Sequence, residues 1–288
     1  MITSTANNRI RELVKIKKSA KVRAQKDVFL VEGPKMFREI PADLLLEVYV
    51  SESCQKSAEG RALLSKTGVD PDGSSCPGQV RAETVSDAVF AYLSDTRTPQ
   101  GILAVVRQQH YTLKDLIEQV PVTRPEQVPA TRSNTSPALV IVLENIQDPG
   151  NLGTILRTAE AAGATGILLS EGCADLYNPK VTRSTMGSIF RMPFFYTSHL
   201  HRELRSLQSA GVKLYAAHLK GSTDLYTQAF TDPCAFLIGN ESRGLTEETA
   251  ALADQAVRIP MSGQVESLNA AVAASVLMYE AKRQRMLR

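Results

Sequence analysis

The chain reads as α/β, with two domains, the second built on a parallel sheet. Three observations carry that reading. Residues 138–143 (ALVIVL) form a continuous apolar run of the kind that makes a strand buried on both faces. From there to the C-terminus, short apolar runs alternate with segments of helical periodicity, the pattern of strands joined by helices. Between 121 and 137 stand Pro121, Pro125, Pro129 and Pro137 among Ser, Thr, Gln and Arg, a composition that breaks regular structure and suits a connection. The expected division is therefore a first α/β domain over 1–107, a proline-rich linker over 108–137 and a second domain over 138–288.

In order, residues 4–26 are expected as a basic helix with a thin apolar stripe of Ile10, Leu13, Val14 and Ile16. Residues 28–31 make a strand, Glu32-Gly33-Pro34 turns the chain into a short helix, and 44–50 make a second strand. A helix over 55–65, a Gly/Pro/Ser/Asp-rich loop over 68–78, a helix over 85–93 and a strand over 102–106 complete the first domain. In the second, strands are expected at 138–143, 166–169, 212–217, 234–238 and 256–259. Helices are expected at 152–162, 182–189, 201–209, 247–253 and 266–285, the last burying Leu268, Val272, Val276 and Tyr279.

With 288 residues, 43% hydrophobic and 22% charged, a sizeable core is available and a disordered chain is excluded. The net charge of +3 hides an asymmetry: residues 1–26 hold eight Lys and Arg against Glu12 alone. A basic end on a mildly acidic body suggests a polyanionic partner, RNA or DNA first, against the alternative of a solvated tail. Four scattered cysteines, with no paired spacing and no apolar leader or membrane-length segment, predict free thiols in a reducing cytoplasmic setting, with no membrane.

The polar loops after the last strands attract attention. FLIGNESRG (236–244) ends a strand in a loop bracketed by Gly239 and Gly244, and IPMSGQVESLNAA (259–271) repeats the plan. Two strand ends with such loops predict a ligand site at the carboxyl edge of a sheet. The lysine of a phosphate-binding loop is missing, because Leu245 and Thr246 follow Gly244, and no G-x-G-x-x-G follows a strand. Nucleoside triphosphate and dinucleotide readings lose their support. His110, His199, His201 and His218 form no triad or metal set, so metal catalysis is disfavoured. Taken singly, Asn151 reads as an N-cap and Arg157 as a solvated helix residue. Glu241 reads alone as a surface acid, Ser267 as a backbone-bonding start of a helix, and Asn269 as a first-turn residue.

Together they say more. N-x-G-x-x-x-R (151–157), I-G-N-E-x-x-G (238–244) and I-P-M-x-G-x-x-x-S-L-N-A-A (259–271) occur in that order. The chain here resembles the SpoU/TrmH family of RNA ribose 2′-O-methyltransferases, within the SPOUT superfamily. Phe29 to Lys35 (FLVEGPK) and Thr98 to Val106 (TPQGILAVV) resemble that family's substrate-binding module. The resemblance implies a deep trefoil knot, which no periodicity argument would propose, S-adenosylmethionine as cofactor, and a homodimer whose site is completed across its interface. It implies that Leu237, Gly239, Asn240, Ile259, Met261 and Leu268 surround the cofactor. Arg157 would assist loss of the 2′-hydroxyl proton, with Asn151, Glu241, Ser267 and Asn269 arranging ribose, phosphate and cofactor. Because guanidinium stays protonated in proteins, clamping a phosphate is the physically easier role for Arg157. The 2′-hydroxyl makes RNA the substrate, ribosomal RNA in preference to transfer RNA. A non-catalytic RNA-binding or assembly protein and a base methyltransferase on the same scaffold stay open.

Overall fold

The computed structural model describes residues 1–66, 80–118, 136–218, 223–265 and 267–287. The expected loop at 68–78, most of the linker and Glu266 lie outside the described residues. Two compact units form, one of Met1–Gln109 with Asp175–Phe190, the other of His110–Ala174 with Arg191–Arg288.

In unit 1 the basic segment is two helices, α1 (Asn8–Lys18) and α2 (Ala20–Lys26). Ser19 divides them, and its hydroxyl accepts from the Val22 amide to cap the second. Then follow β1 (Val28–Glu32), α3 (Pro34–Phe37), β2 (Leu45–Ser51), α4 (Glu52–Lys56), α5 (Ala58–Lys66), β3 (Arg81–Val85), α6 (Asp87–Leu93) and β4 (Ile102–Arg107). The strands form a sheet in the order β1-β4-β2-β3, with β4 antiparallel to both neighbours and β3 parallel to β2. Val85, expected in a helix, ends β3, a strand too polar (RAETV) for periodicity to reveal.

The basic end is no free arm. Ile10, Leu13 and Ile16 are buried in the same cluster as Leu30, Val89 and Phe90. Arg23, 3% exposed, donates to the Ile16 and Lys17 carbonyls that end α1 and pairs with Asp175. Lys17 donates to the Leu93 carbonyl, Arg9 pairs with Glu83, and Lys26 pairs with Glu12. Arg11, Lys15 and Lys18 remain exposed on the face of α1 opposite its buried stripe.

The second half of the chain begins with α7 (Leu113–Ile117), inside the expected linker, where Thr112 and Asp115 make a capping box. It continues through β5 (Leu139–Leu143), α8 (Pro149–Ala162), β6 (Gly166–Ser170), α9 (Pro179–Ser184), β7 (Phe194–Thr197), α10 (Leu200–Ser209) and β8 (Lys213–Ala217). It ends with β9 (Thr223–Asp224), β10 (Cys234–Ile238), α11 (Glu247–Ala251), β11 (Gln255–Arg258) and α12 (Ala270–Met286). Segment 175–190, expected in the second domain, belongs to unit 1. There Asp175 meets Arg23, and the Tyr177 ring packs against Phe29 at a tilt of 41°, with ring centroids 4.6 Å apart.

Unit 2 holds the expected parallel sheet, in the order β7-β6-β5-β10-β8-β11-β9 among the described residues. Every residue of β5, β6 and β10 is buried. The strand β10, formed late in the chain, lies between β5 and β8.

The last helix departs from expectation. It starts at Ala270, capped by Asn269, and buries Ala270, Ala271, Ala274, Leu277, Met278 and Ala281. Val272 and Tyr279, expected in the core, are each 48% exposed, and Leu268 is half-buried before the helix begins. Two apolar stripes run along this helix, and the small-residue one faces inward.

Candidate active site

Strands β5 and β10 are parallel neighbours, with Leu143 opposite Ile238, so their following loops emerge side by side. The Glu144 amide donates to the Ile238 carbonyl at 2.9 Å, and its side chain turns inward, 5% exposed. Its carboxylate accepts from the Thr246 amide (2.8 Å), the Thr246 hydroxyl (2.9 Å) and the Thr249 hydroxyl (2.6 Å). A buried carboxylate is tolerated when so satisfied, and this one ties the end of β5 to the start of α11. Sequence reasoning missed Glu144; the spacing Thr246-x-x-Thr249 was the available signal.

Asn240 shapes the loop after β10. Its side-chain amide donates to the Asn145 carbonyl (2.7 Å), and its side-chain oxygen accepts from the Ser242 and Arg243 amides. Its backbone exchanges hydrogen bonds with Gly244 at 3.0 and 2.9 Å. A Cβ on Gly239 would lie 2.0 Å from the Gly244 carbonyl carbon. The loop's own return therefore demands that glycine, whereas the sequence suggested only close approach of a ligand.

This loop presents Glu241, whose carboxylate accepts from the Asn151 side-chain amide at 3.0 Å and from the Asp148 and Gln147 amides at 3.3 and 3.4 Å. Burial opposes ionisation, but the bond from Asn151 and those from backbone amides outweigh it, so the carboxyl sits below its ordinary range. Asp148, not Asn151, is the N-cap of α8, with its side-chain oxygen accepting from the Asn151 amide at 2.8 Å. That correction frees the Asn151 side chain. Its oxygen accepts from the Asn269 side-chain amide at 2.9 Å, while Asn269 caps α12 through the Ala271 and Val272 amides. Glu241, Asn151 and Asn269 thus form one hydrogen-bonded chain from the loop after β10 through the first turn of α8 to the cap of α12.

Arg157 and Ser267 stand apart from it. Six residues along α8 put Arg157 about 9 Å further and about 120° around the helix from Asn151. It is exposed and makes no hydrogen bond or ion pair among the described residues, and Ser267 is exposed likewise. Of the expected cofactor residues, Leu237 is buried in β10, while Ile259, Met261 and Leu268 are half-buried beyond β11. Among the described residues no cluster of His, Cys, Asp or Glu could hold a metal ion, and no helix is long and apolar enough to cross a membrane.

Residues 138–279 match the SpoU rRNA Methylase family, and residues 7–104 match the MRM3-like substrate binding domain. The chain is 29% identical over 280 residues (96% of this chain, 97% of the relative) to the 23S rRNA (guanosine(2553)-2′-O)-methyltransferase RlmP of Bacillus subtilis. It is 36% identical over 206 residues (71% of this chain, 68% of the relative) to an uncharacterized tRNA/rRNA methyltransferase of Synechocystis. The SpoU methyltransferase AviRb of Streptomyces viridochromogenes, solved with the cofactor AdoMet, superposes with a TM-score of 0.80 and 26% identity over 97% of this chain and 98% of its own. With its three motif loops gathered at one sheet edge, the chain belongs to the SpoU rRNA methylase family.

Proposed function

We propose that this protein is an S-adenosylmethionine-dependent methyltransferase acting on a ribose 2′-hydroxyl of RNA, ribosomal RNA in preference to transfer RNA. The observation that carries this is the chain Glu241–Asn151–Asn269, which locks the three motif loops into one arrangement. The relative named as a 23S rRNA 2′-O-methyltransferase over nearly its whole length supports the reaction and the RNA class, and the AdoMet complex of AviRb supports the cofactor.

The residues present fit the cofactor. Half-buried Ile259, Met261 and Leu268, which follow β11, supply apolar contact, and the loop after Gly239 supplies main-chain groups, which suits a ligand held without a charged anchor. When bound, S-adenosylmethionine supplies an electrophilic methyl on a sulfonium. Glu241, ionised, holds Asn151 in register, and Asn151 and Asn269 orient the ribose so that its hydroxyl lies in line. Arg157, an exposed cation with no partner among the described residues, clamps a substrate phosphate, and Ser267 adds a hydroxyl at the rim.

A second copy of the chain completes the site. Val272, Tyr279 and Met286 are 48, 48 and 66% exposed at seven-residue spacing along α12, an apolar stripe that a dimer partner would cover. The sheet order, with β10 between β5 and β8, is compatible with the trefoil knot that the family resemblance implies. Arg11, Lys15 and Lys18 on α1 meet RNA phosphates. The free thiols Cys54, Cys173 and Cys234 suit a reducing, cytoplasmic setting.

Labelled S-adenosylmethionine, offered with undermodified ribosomal and transfer RNA followed by nucleoside mass spectrometry, tests the reading. A 2′-O-methylnucleoside from ribosomal RNA is expected. A methylated base overturns the site assignment, and absence of transfer to either pool with the cofactor bound overturns the activity.

A further inference from the structure

Unit 1 contains a cavity of about 400 Å³, a size common for small-molecule pockets, that methyl transfer leaves unused. It opens at the sheet edge where β1, β2 and β3 end and β4 begins. Pro34 follows β1, Ser51 closes β2, Asp87 follows β3, and Pro99 and Gln100 lead into β4. The two sequence stretches 29–35 and 98–106 therefore meet at one place.

The cavity floor is fitted without slack. A Cβ on Gly101, whose φ is +78°, would lie 2.5 Å from the Cys54 Cβ and 2.8 Å from the Ser51 hydroxyl oxygen. One on Gly60 would lie 2.0 Å from the Cys54 carbonyl oxygen. These contacts press α4 and α5 against the entry to β4 and leave the cavity preformed, which lowers the ordering cost of binding.

Among the described residues the lining holds no lysine or arginine, so it offers a phosphate no cationic partner. Asp87 accepts from the Ser53 hydroxyl (2.7 Å) and amide (3.1 Å), and these bonds hold its carboxyl below the ordinary range. A fixed, ionised carboxylate only accepts hydrogen bonds, and the Gln100 amide oxygen adds another acceptor. Pro34, Pro99 and Phe90 supply apolar walls. Acceptors set among apolar walls suit a planar heterocycle with N–H donors, and an unpaired guanine presents an imino and an amino group side by side.

We propose that this cavity receives one unpaired base of the RNA substrate, guanine by its donor edge, giving unit 1 a base-specific contact. The proposal rests on the RNA-methylation reading above and deepens it.

Cys54 lines the cavity with a half-buried thiol, while Cys173 and Cys234 are buried. Peptide-resolved alkylation of the intact chain by N-ethylmaleimide therefore reports occupancy. Guanosine monophosphate at ten times its dissociation constant is expected to slow Cys54 labelling about tenfold by mass action. Adenosine, cytidine and uridine monophosphates at the same concentration should slow it less than about twofold by the same relation. Undermodified ribosomal RNA should protect Cys54 as well, and Asp87→Asn should abolish protection by the guanine nucleotide while cofactor binding is unchanged. Ribosomal RNA that is retained on a filter yet leaves Cys54 labelled at its free rate overturns the proposal, as does equal protection by all four nucleotides. Methyl transfer on the same preparation separates the two readings. Intact transfer with Cys54 unprotected removes only the base pocket, and guanine-specific protection without transfer removes only the activity.

Discussion

Replacing Asn269 separates two jobs that one side chain performs. Its oxygen caps α12 by accepting from the Ala271 amide at 2.9 Å and the Val272 amide at 3.3 Å, and its nitrogen donates to Asn151 at 2.9 Å. Loss of an N-cap costs about 1 kcal/mol, and loss of an exposed neutral hydrogen bond about 0.5 kcal/mol. Asn269→Ala loses both, about 1.5 kcal/mol, which at roughly 2–4 °C per kcal/mol for chains of comparable size lowers Tm by about 3–6 °C. Serine caps nearly as well as asparagine but cannot reach Asn151, so Asn269→Ser should lower Tm by about 1–2 °C. Methyl transfer should fall at least about tenfold in both variants, because the orientation of Asn151 is lost in both. Scanning calorimetry and single-turnover transfer give the two readouts. Wild-type turnover in Asn269→Ser would refute the role of the bridge, and an unchanged Tm in Asn269→Ala would refute the cap.

Arg157→Lys should reduce turnover about a hundredfold or more while Tm stays constant, because the side chain is exposed and makes no pair among the described residues; near-normal turnover removes both the base and the clamp roles. Converting Arg11, Lys15 and Lys18 together to Gln should flatten the salt dependence of RNA binding, lowering the slope of log K against log salt by about 2. An unchanged slope in filter binding excludes this face of α1. Deleting residues 1–26 is the wrong comparison, since it removes Ile10, Leu13, Ile16 and Arg23 from the core. Glu241 has a depressed folded pKa, so its contribution to stability is present above its unfolded value and is lost as pH falls through the folded one. Urea unfolding below the ordinary glutamate range should show a shallower acid loss in Glu241→Gln than in wild type, and identical profiles contradict the hydrogen-bonding account. Val272→Glu with Tyr279→Glu should give a monomer by light scattering; a persisting dimer places the interface elsewhere.

Much of the fold was legible because its signals are local. The run at 138–143 and the apolar strands after it require burial on both faces, and a parallel sheet with crossover helices satisfies that requirement. The order of Asn151, Arg157, Glu241, Ser267 and Asn269 within their motifs marked the family before any coordinates. Polar edge elements were not legible. Strand β3 (RAETV) owes its conformation to pairing with β2, and no periodicity records that partner.

What the sequence alone determined is which residues stand in the motif loops and that those loops end buried strands. Only the tertiary structure decided what they touch. Asp148 took the cap that the sequence reading gave to Asn151, which turned Asn151 toward Glu241 and Asn269, residues 90 and 118 positions away in the chain. Along α12, apolar residues occupy two faces, and the close approach to α8 selected the one with Ala270, Ala271 and Ala274, leaving Val272 and Tyr279 outside. In the basic segment, charge is a property of composition, but availability is not. Arg23 is buried under the carbonyls that end α1, while Arg11, Lys15 and Lys18 face solvent, because burial depends on what the rest of the chain brings to each face.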